Sequence, residues 1–562
     1  MSLLSSIQMA GGSLQANEVA LQVVGQNIAN ANTPGYIREV ANLVPGASQG
    51  EGSLILGTGV QVQSITQQIN SFLETELRNA NSDQSNADTV QQTYSQLENI
   101  VGAVSSSNLS TAMNSFFSAI SDVLNSPQDE SVRQTAVLQG QSLASTINSM
   151  SSQTEQLRSS IDSQVASLAP QINTLTTQIA QLNIQIAQIT GGGTSASAAV
   201  GLTDQRNQAL SNLSKLIGVQ TSTQPDGSVN VDVGGTYLVN EGTSQQVNVT
   251  QSTNQGMTVS TLEVQGTVLN PSSGQLAGLL TSRDTVLGGF EEQLNSFAGT
   301  LANEFNKIYS GGQGTTAYTQ TTATNAVSAA DVPLDEAGLA FTPTNGSFQI
   351  IVTNEQTGTS TTNNVAVSML GAGHTTTLDS LAAEINNISG LQAKVVNGKL
   401  SLSTTDSNTE FAFGADTSGT LAALGINTFF TGSNADTFAV NSTVAQDPTK
   451  FAASSTGVGV DTTNAQTLAN FLTQPLATQN GSTIQDLYNN MATDVTQSSA
   501  NATASANAAD SVQSTFSNQE TATSGVNIDD EVVNMLQYQE SYQASARYIA
   551  TLENLLNTLV QM

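Results

Sequence analysis

The chain reads as a mainly α protein with β insertions, nested and multidomain. It is expected to have terminal coiled-coil helices, an elongated helical rod domain and an inserted α+β outer domain. Three observations lead there. Both ends carry a seam of residues spaced alternately four and three apart. At the N-terminus it runs Leu3, Ile7, Ala10, Leu14, Asn17, Leu21, Val24, Ile28, Ala31, and at the C-terminus Met535, Tyr538, Tyr542, Ser545, Ile549, Leu552, Leu556, Leu559. A mean spacing of about 3.5 residues keeps one stripe of a helix facing a partner, the condition for coiled-coil packing. Second, helical periodicity fills most of the interior. Third, residues 313 to 450 change to strand-like alternation. At 562 residues the chain is too long for a single core. If the two seams pack on each other, everything between them leaves one base and returns to it. The expected domains are 1–48 with 524–562, then 49–312 with 451–523, carrying a β-hairpin part near 219–270, and finally 313–450.

The first helix should stop at Asn30-Ala31-Asn32-Thr33-Pro34-Gly35-Tyr36, because Asn and Gly accept positive φ and Pro34 forbids helical continuation. Gly46 to Gly59 reads as a turn-rich connector around Leu54 to Leu56. Helical patterning resumes at Ile69, Phe72, Leu73 and Leu77, and again at Met113, Phe116, Phe117, Ile120 and Leu124. The longest periodic stretch runs from Leu143 to Ile189, roughly 70 Å if wholly helical at about 1.5 Å per residue. Its period slips near Leu168, where Pro170 predicts either a stutter or a break into two helices. Gly191-Gly192-Gly193 closes it. A shorter helix follows through Leu202, Leu210, Leu213 and Ile217. Val229, Val231 and Val233, then Gly234-Gly235, Tyr237 and Val239, predict a hairpin. Helix returns from Leu287 to Ile308.

Within 313–450, strands are predicted at Phe348 to Val352 and Val365 to Met369, a helix at Leu378 to Asn386, and a hairpin from Ala393 to Leu402. Asn397-Gly398 suits its type I′ turn. Phe411 and Phe413 add a strand. From about 465, helix resumes through Leu468 and Phe471 and then Ile484 to Val495. Ser498 to Asp510, rich in Ala, Ser and Asn, is either an exposed helix or a flexible one.

Composition excludes whole classes of function. Twelve Lys plus Arg against 43 Asp plus Glu leave a net charge of -31. Nucleic acid and anionic membrane surfaces are poor partners for that field, since both need positive charge on the protein. Charged residues are only 10% of the chain, so its polarity comes from hydroxyls and amides, expected at the surface. With no Cys, disulfides, thiolate metal sites and thiol nucleophiles are all absent. No stretch reaches the roughly 20 apolar residues of a membrane span, and the N-terminus does not read as a signal peptide.

No catalytic, cofactor-binding or metal-ligating constellation stands out. The single histidine, His374, sits in the Gly371-Ala372-Gly373-His374 loop with no sign of an orienting acid, and one histidine cannot make the paired-His zinc motif. No Walker loop and no dinucleotide fingerprint occurs. Asp529-Asp530-Glu531 could suggest a cation site. The simpler reading is a helix start, with Asn527 as N-cap and three acids complementing the helix dipole.

Asn27-Ile28-Ala29-Asn30-Ala31-Asn32-Thr33-Pro34-Gly35-Tyr36 resembles the N-terminal signature of flagellar rod, hook and hook-associated proteins. Val533-Asn534-Met535-Leu536-Gln537-Tyr538-Gln539, with Ser541-Tyr542-Gln543-Ala544 and Leu555-Leu556-Asn557-Thr558-Leu559, is similar to the matching C-terminal one. Leu202-Thr203-Asp204-Gln205-Arg206-Asn207 and Leu210-Ser211-Asn212-Leu213-Ser214 look like the hook-associated members that join hook to filament. The resemblance implies a structural, self-assembling flagellar protein, extracellular at the hook–filament junction and secreted by the flagellar type III route, with no enzymatic role. Implied partners are further copies of itself in a ring or helical turn, hook protein, the second junction protein of the boundary, and an export chaperone on the C-terminal helices. Seams and signatures together put the assembly interface on Leu3, Ile7, Leu14, Leu21, Val24, Ile28, Asn32, Pro34, Gly35 and Tyr36, and on Met535, Tyr538, Tyr542, Ile549, Leu552, Leu556 and Leu559. Alternatives are another axial protein, such as hook protein or flagellin, and a surface adhesin using the 313–450 module.

Overall fold

The computed structural model describes residues 3–33, 35–51, 54–102, 108–191, 199–369 and 375–561. His374, Pro34, Gly192 and Gly193 lie outside the described residues. The α-helices among them are α1 (Leu3–Asn30), α2 (Ser71–Val101), α3 (Leu109–Asn125), α4 (Glu130–Gly191), α5 (Val200–Leu216), α6 (Gly274–Leu280), α7 (Gly288–Tyr309), α8 (Leu378–Asn386), α9 (Thr420–Leu424), α10 (Ser442–Gln446), α11 (Thr463–Asn470), α12 (Ile484–Ser524) and α13 (Ile528–Gln561). Pro170 does not end α4, which continues through it. Ser498 to Asp510 is helical within α12, where Ala502 and Ala506 are buried.

The chain forms two compact units. The first gathers Met1–Thr93, Ser160–Asp284 and Asn501–Met562. In it α1 packs on α13 and on the antiparallel strands Glu39–Pro45 and Val60–Gln67. The stretch Gly46 to Gly59, read as a connector, carries one short strand pair, Gln49–Glu51 with Leu54–Leu56, and Val60 to Gln67 after it pairs back on residues 39 to 45. A bulge between Asn42 and Leu43 breaks the strict alternation by which a strand is recognised.

The single hairpin expected near 219–270 is two sheets. One orders Gln220–Thr223, Val229–Val233, Thr236–Asn240 and Thr243–Ser244; the other orders Thr267–Val268, Met257–Val264 and Val247–Asn254. Val229, Val231 and Val233 are buried on one face as predicted, and Gly234 and Gly235 turn the chain with positive φ. Helix α4 holds both sheets through asparagine amides. Asn183 Nδ2 donates to Val229 O at 2.8 Å while its Oδ1 accepts from Val229 N at 3.1 Å. Asn173 does the same to Val247. Each asparagine pairs with both polar groups of one strand residue, as a neighbouring strand would.

The second unit joins Tyr94–Ser159 and Thr285–Ala500. Its helical part is built around aromatic rings: Phe305 of α7 lies 5.5 Å from Phe116 of α3, 5.2 Å from Phe430 and 5.6 Å from Phe471. A separate core of Phe348, Ile350, Val365, Leu378, Leu381, Ile385, Leu400, Leu402, Phe411 and Phe413 lies within residues 318–426. There Gly346–Asn354 pairs with Thr359–Val367 and Thr409–Asp416, and Leu391–Val396 with Lys399–Thr404 through Asn397 and Gly398, both at positive φ. Thr377 and Ser380 form a reciprocal cap at the start of α8. Phe429, Phe430, Phe438 and Phe451, although near the end of the 313–450 span or just beyond it, join the ring core of the helices rather than the core of the insert.

Candidate functional site

The chain ends meet through the N-terminal signature itself. Asn27, on the last turns of α1, is wholly buried. Its Oδ1 accepts from the Tyr36 hydroxyl at 2.9 Å and from Glu39 N at 3.0 Å; its Nδ2 donates to Glu39 O at 2.8 Å and to Glu531 Oε2 at 3.1 Å. All four hydrogen-bonding positions of the amide are thereby filled. Glu531, 1% exposed, also receives Arg38 Nε at 2.7 Å. The backbone completes the link, with Arg38 N donating to Ser524 O and Gln68 N to Arg38 O, both at 2.9 Å. A motif in the first forty residues thus grips a carboxylate on α13 that lies 504 positions after Asn27.

This changes the reading of the acidic run. Asn527 does cap α13, its Oδ1 accepting from Asp529 N at 3.1 Å. Glu531 is no solvated first-turn acid: it is a buried ion-pair partner. A buried carboxylate needs such partners, since desolvation otherwise outweighs any gain.

Most of the expected interface residues stay open to contact in the single chain. Leu3, Ile7, Leu14, Leu21 and Ile28 are half-buried, Val24 is buried, and Asn32 and Gly35 are exposed. Tyr36 is half-buried. On α13, Met535, Tyr538, Tyr542 and Ile549 are half-buried, Leu552 is buried, and Leu556 and Leu559 are exposed. The deepest positions of α1 are Ser6, Ala10, Ala16, Ala20, Val23, Val24 and Asn27, a face of mostly small side chains turned away from the seam and sharing only Ala10 and Val24 with it. Small residues let α1 approach the strands and α13 closely, and they leave the larger seam residues partly uncovered. Elsewhere on α13, Val533, Leu536, Leu555 and Val560 are more than half exposed.

Beside the latch runs a polar cleft of about 430 Å³, lined among others by Tyr36, Glu39, Gln178, Asp204, Gln205 and Gln208. It brings the Leu202 to Asn207 motif on α5 against the N-terminal signature. Gly35 is at positive φ, and a Cβ there would collide with Gln208 Oε1. Gln67 Nε2 donates to Asp204 Oδ1. Burial, with Glu39 and Glu74 nearby, pushes the Asp204 carboxyl up to about 7, against the opposing hydrogen bonds from Gln67 and the Ile37 backbone. Burial raises Glu39 as well, and burial together with Glu39, Asp204 and Glu531 raises the Tyr36 phenol. Sequence reasoning quoted Asn27 and Asp204 only as parts of motifs and passed over Arg38, Glu39 and Gln67. The available signal was an Arg among only twelve cations, two residues after the signature.

Among the described residues, no group of three or more His, Asp or Glu is placed to hold a metal ion, and no helix is long and apolar enough to cross a membrane.

Comparison with known families places three descriptions along the chain: flagellar hook-associated protein FlgK helical domain over residues 94–324, flagellar basal body rod FlgEFG protein C-terminal over 519–562, and flagella basal body rod protein over 7–36. Flagellar hook-associated protein 1 of Escherichia coli strain K12 is 26% identical across 99% of this chain and 100% of its own length. The protein of the same name from Salmonella typhimurium is 26% identical over 55% of this chain and 57% of its own length. In Bacillus subtilis the figures are 26%, 39% and 44%. Among solved structures, the flagellar hook junction protein FlgK from Burkholderia pseudomallei shares the fold, with a TM-score of 0.53 at 19% identity over 80% of this chain and 100% of its own.

Proposed function

Since this chain belongs to the flagellar rod, hook and hook-associated protein family, we propose that it is the structural, self-assembling component that joins hook to filament at the outer end of the hook. The observation that carries this reading is α13, a helix of 34 residues that leaves Val533, Leu536, Leu555, Leu556, Leu559 and Val560 exposed while its base is locked to α1. Isolated apolar stripes of that length gain stability only when buried, and further copies of the same helix pair bury them in a closed ring or helical turn. The base would be 1–48 with 524–562. The helical rod, 49–312 with 451–523, would continue from it, and 313–450 would be an inserted outer domain.

On this reading the neighbours are hook protein below and the second junction protein above. Export runs through the flagellar type III apparatus, with a chaperone covering the exposed rows of α13 beforehand. The protein acts by shape and contact and catalyses nothing, so His374→Ala leaves motility unchanged. A strain lacking the gene should bear bare hooks and leak flagellin into the medium, and immunogold labelling of wild-type flagella should mark the hook tip alone. Label along the whole filament or the whole hook would move the assignment to flagellin or hook protein.

A further inference from the structure

Two short apolar stripes on α13 point in opposite directions. The first, at the root of the helix, is Ile528, Val532 and Leu536; the second is Tyr548 and Leu555, and all five side chains are between 42% and 56% exposed. Members of a stripe are four or seven residues apart and share one side of the helix, whereas at about 3.6 residues per turn the two stripes lie about 150° apart. The row Tyr538, Ser545 and Leu552, half-buried or buried, is the one turned to α1. Charge marks the stripes differently. Arg547, the only basic residue of α13, directly precedes Tyr548, and Asp529 directly follows Ile528. Both are exposed, and among the described residues neither forms an ion pair. Asp529 and Arg547 are separated by five whole turns at about 3.6 residues each, so they point the same way, away from α1.

We propose that the Tyr548 and Leu555 stripe of one copy packs on the Ile528, Val532 and Leu536 stripe of the next, parallel and displaced along the helix, with Arg547 of the first paired to Asp529 of the second. This rests on the self-assembling role proposed above and names the surfaces that role uses. Tyr548 seated on Ile528 carries Leu555 to Leu536, because the two stripes are nearly equal in length, and it brings Arg547 within about 3 Å of rise of Asp529. Parallel copies put that Arg and that Asp on the same edge of the contact; antiparallel copies put them on opposite edges. Because the stripes face opposite ways, one partner cannot cover both. The contact is therefore heterologous and repeats from copy to copy rather than closing as a two-fold dimer. Each step displaces the next helix by about 30 Å, the rise from Ile528 to Tyr548, which makes the array a helical turn and not a flat ring.

The chain has no Cys, so engineered disulfides read the contact cleanly in flagella isolated from cells whose sole copy is the full-length variant. Ile528→Cys combined with Tyr548→Cys should give a ladder of covalent multimers on oxidation, because positions about 30 Å apart in one chain can be bridged only between copies. Each single variant should stay monomeric. A dimer from either single variant would mean that a stripe meets its own kind and would overturn the contact. So would the absence of a ladder from flagella that carry the double variant, with the junction role left intact. The charges give a second reading that needs no oxidation. Arg547→Asp and Asp529→Arg should each lower the fraction of cells bearing filaments roughly tenfold, since like charges then face each other at the contact, and the double variant should regain most of it. Both residues are exposed in the free chain, so its urea midpoints should not move. A double variant no better than the two single ones would overturn the pairing. Failure of the junction reading looks different: wild-type protein absent from hook tips by immunogold labelling would overturn both.

Discussion

Helix α8 is nine residues long and buries Leu378, Leu381, Ala382 and Ile385; helix α13 is 34 residues long and buries only Glu531 and Leu552. The two helices stand for two ways of treating apolar surface. In the insert, the strands and α8 close on each other until hardly any large apolar side chain is left out. At the chain ends, hydrogen bonds fix where α13 begins, α1 half-covers one face of it, and the remaining apolar side chains are left without a lid. The difference teaches where each part of the molecule completes its folding. The insert completes it within one chain, whereas α13 leaves apolar surface open in the single chain, as the proposed assembly requires.

Breaking the closed side of that comparison should have the largest effect on the isolated chain. Leu381 is fully buried against the insert strands, and Leu381→Ala should cost about 2–5 kcal/mol, the lost transfer energy plus the cavity left behind. Because the chain forms two compact units, the change belongs in the exchange protection of α8 and of residues 391–404 and in the urea midpoint of that transition. Protection lost equally from α1 and α13 would mean that the insert does not fold as its own unit.

The latch should rank second. Glu531→Gln keeps the shape and removes the charge that faces Arg38, and it sets an amide NH₂ where Asn27 Nδ2 already donates. A hydrogen bond to a charged group contributes about 1.5–3 kcal/mol, and the lower end applies because the Arg38 side chain is 24% exposed. The expected readout is loss of protection at the start of α13 and at Glu39, with α8 unaffected. An unchanged α13 would show that helix packing alone joins the ends.

What the sequence disclosed follows the same division. Periods and turns were legible because they are local. Leu378 to Asn386 is helical as predicted, Asn397-Gly398 turns a hairpin, and the terminal seams do lie on helices that pack together. The rotation of α1 was not legible, because Ala16 and Ala20 are deep only through the close approach of neighbouring elements, and small residues carry little pattern. The strands flanking residues 46–59 were hidden by a bulge. Amide-rich composition was taken as a solvated surface, yet Asn27, Asn183 and Asn306 are buried and each pairs with a strand backbone. Nothing local distinguishes such an asparagine from an exposed one; its partner is chosen by tertiary approach. The same holds for Glu531, whose acidic neighbours made capping the natural reading of the whole run.

The smallest effect on the isolated chain is also the sharpest test of the open side. Leu556 is 36% exposed, and Leu555, Leu559 and Val560 around it are more exposed still. In a single chain an aspartate at 556 keeps its water, so Leu556→Asp should shift stability by no more than about 0.5 kcal/mol, as surface substitutions generally do. Packed against another copy, the same carboxylate would lose its water with no cation to meet it, since α13 offers one basic residue, Arg547, nine positions and two and a half turns earlier. An unpaired buried charge costs several kcal/mol, and a ring repeats that cost at every subunit. The variant should therefore be exported, fold with wild-type urea midpoints, and fail to cap hooks, with flagellin released into the medium. Gln561→Asp, at the last residue of the helix, is the mild control. Normal filaments on Leu556→Asp cells would place the partner of α13 on another part of its surface, while a large loss of monomer stability would mean that the distal helix is already covered in the free chain.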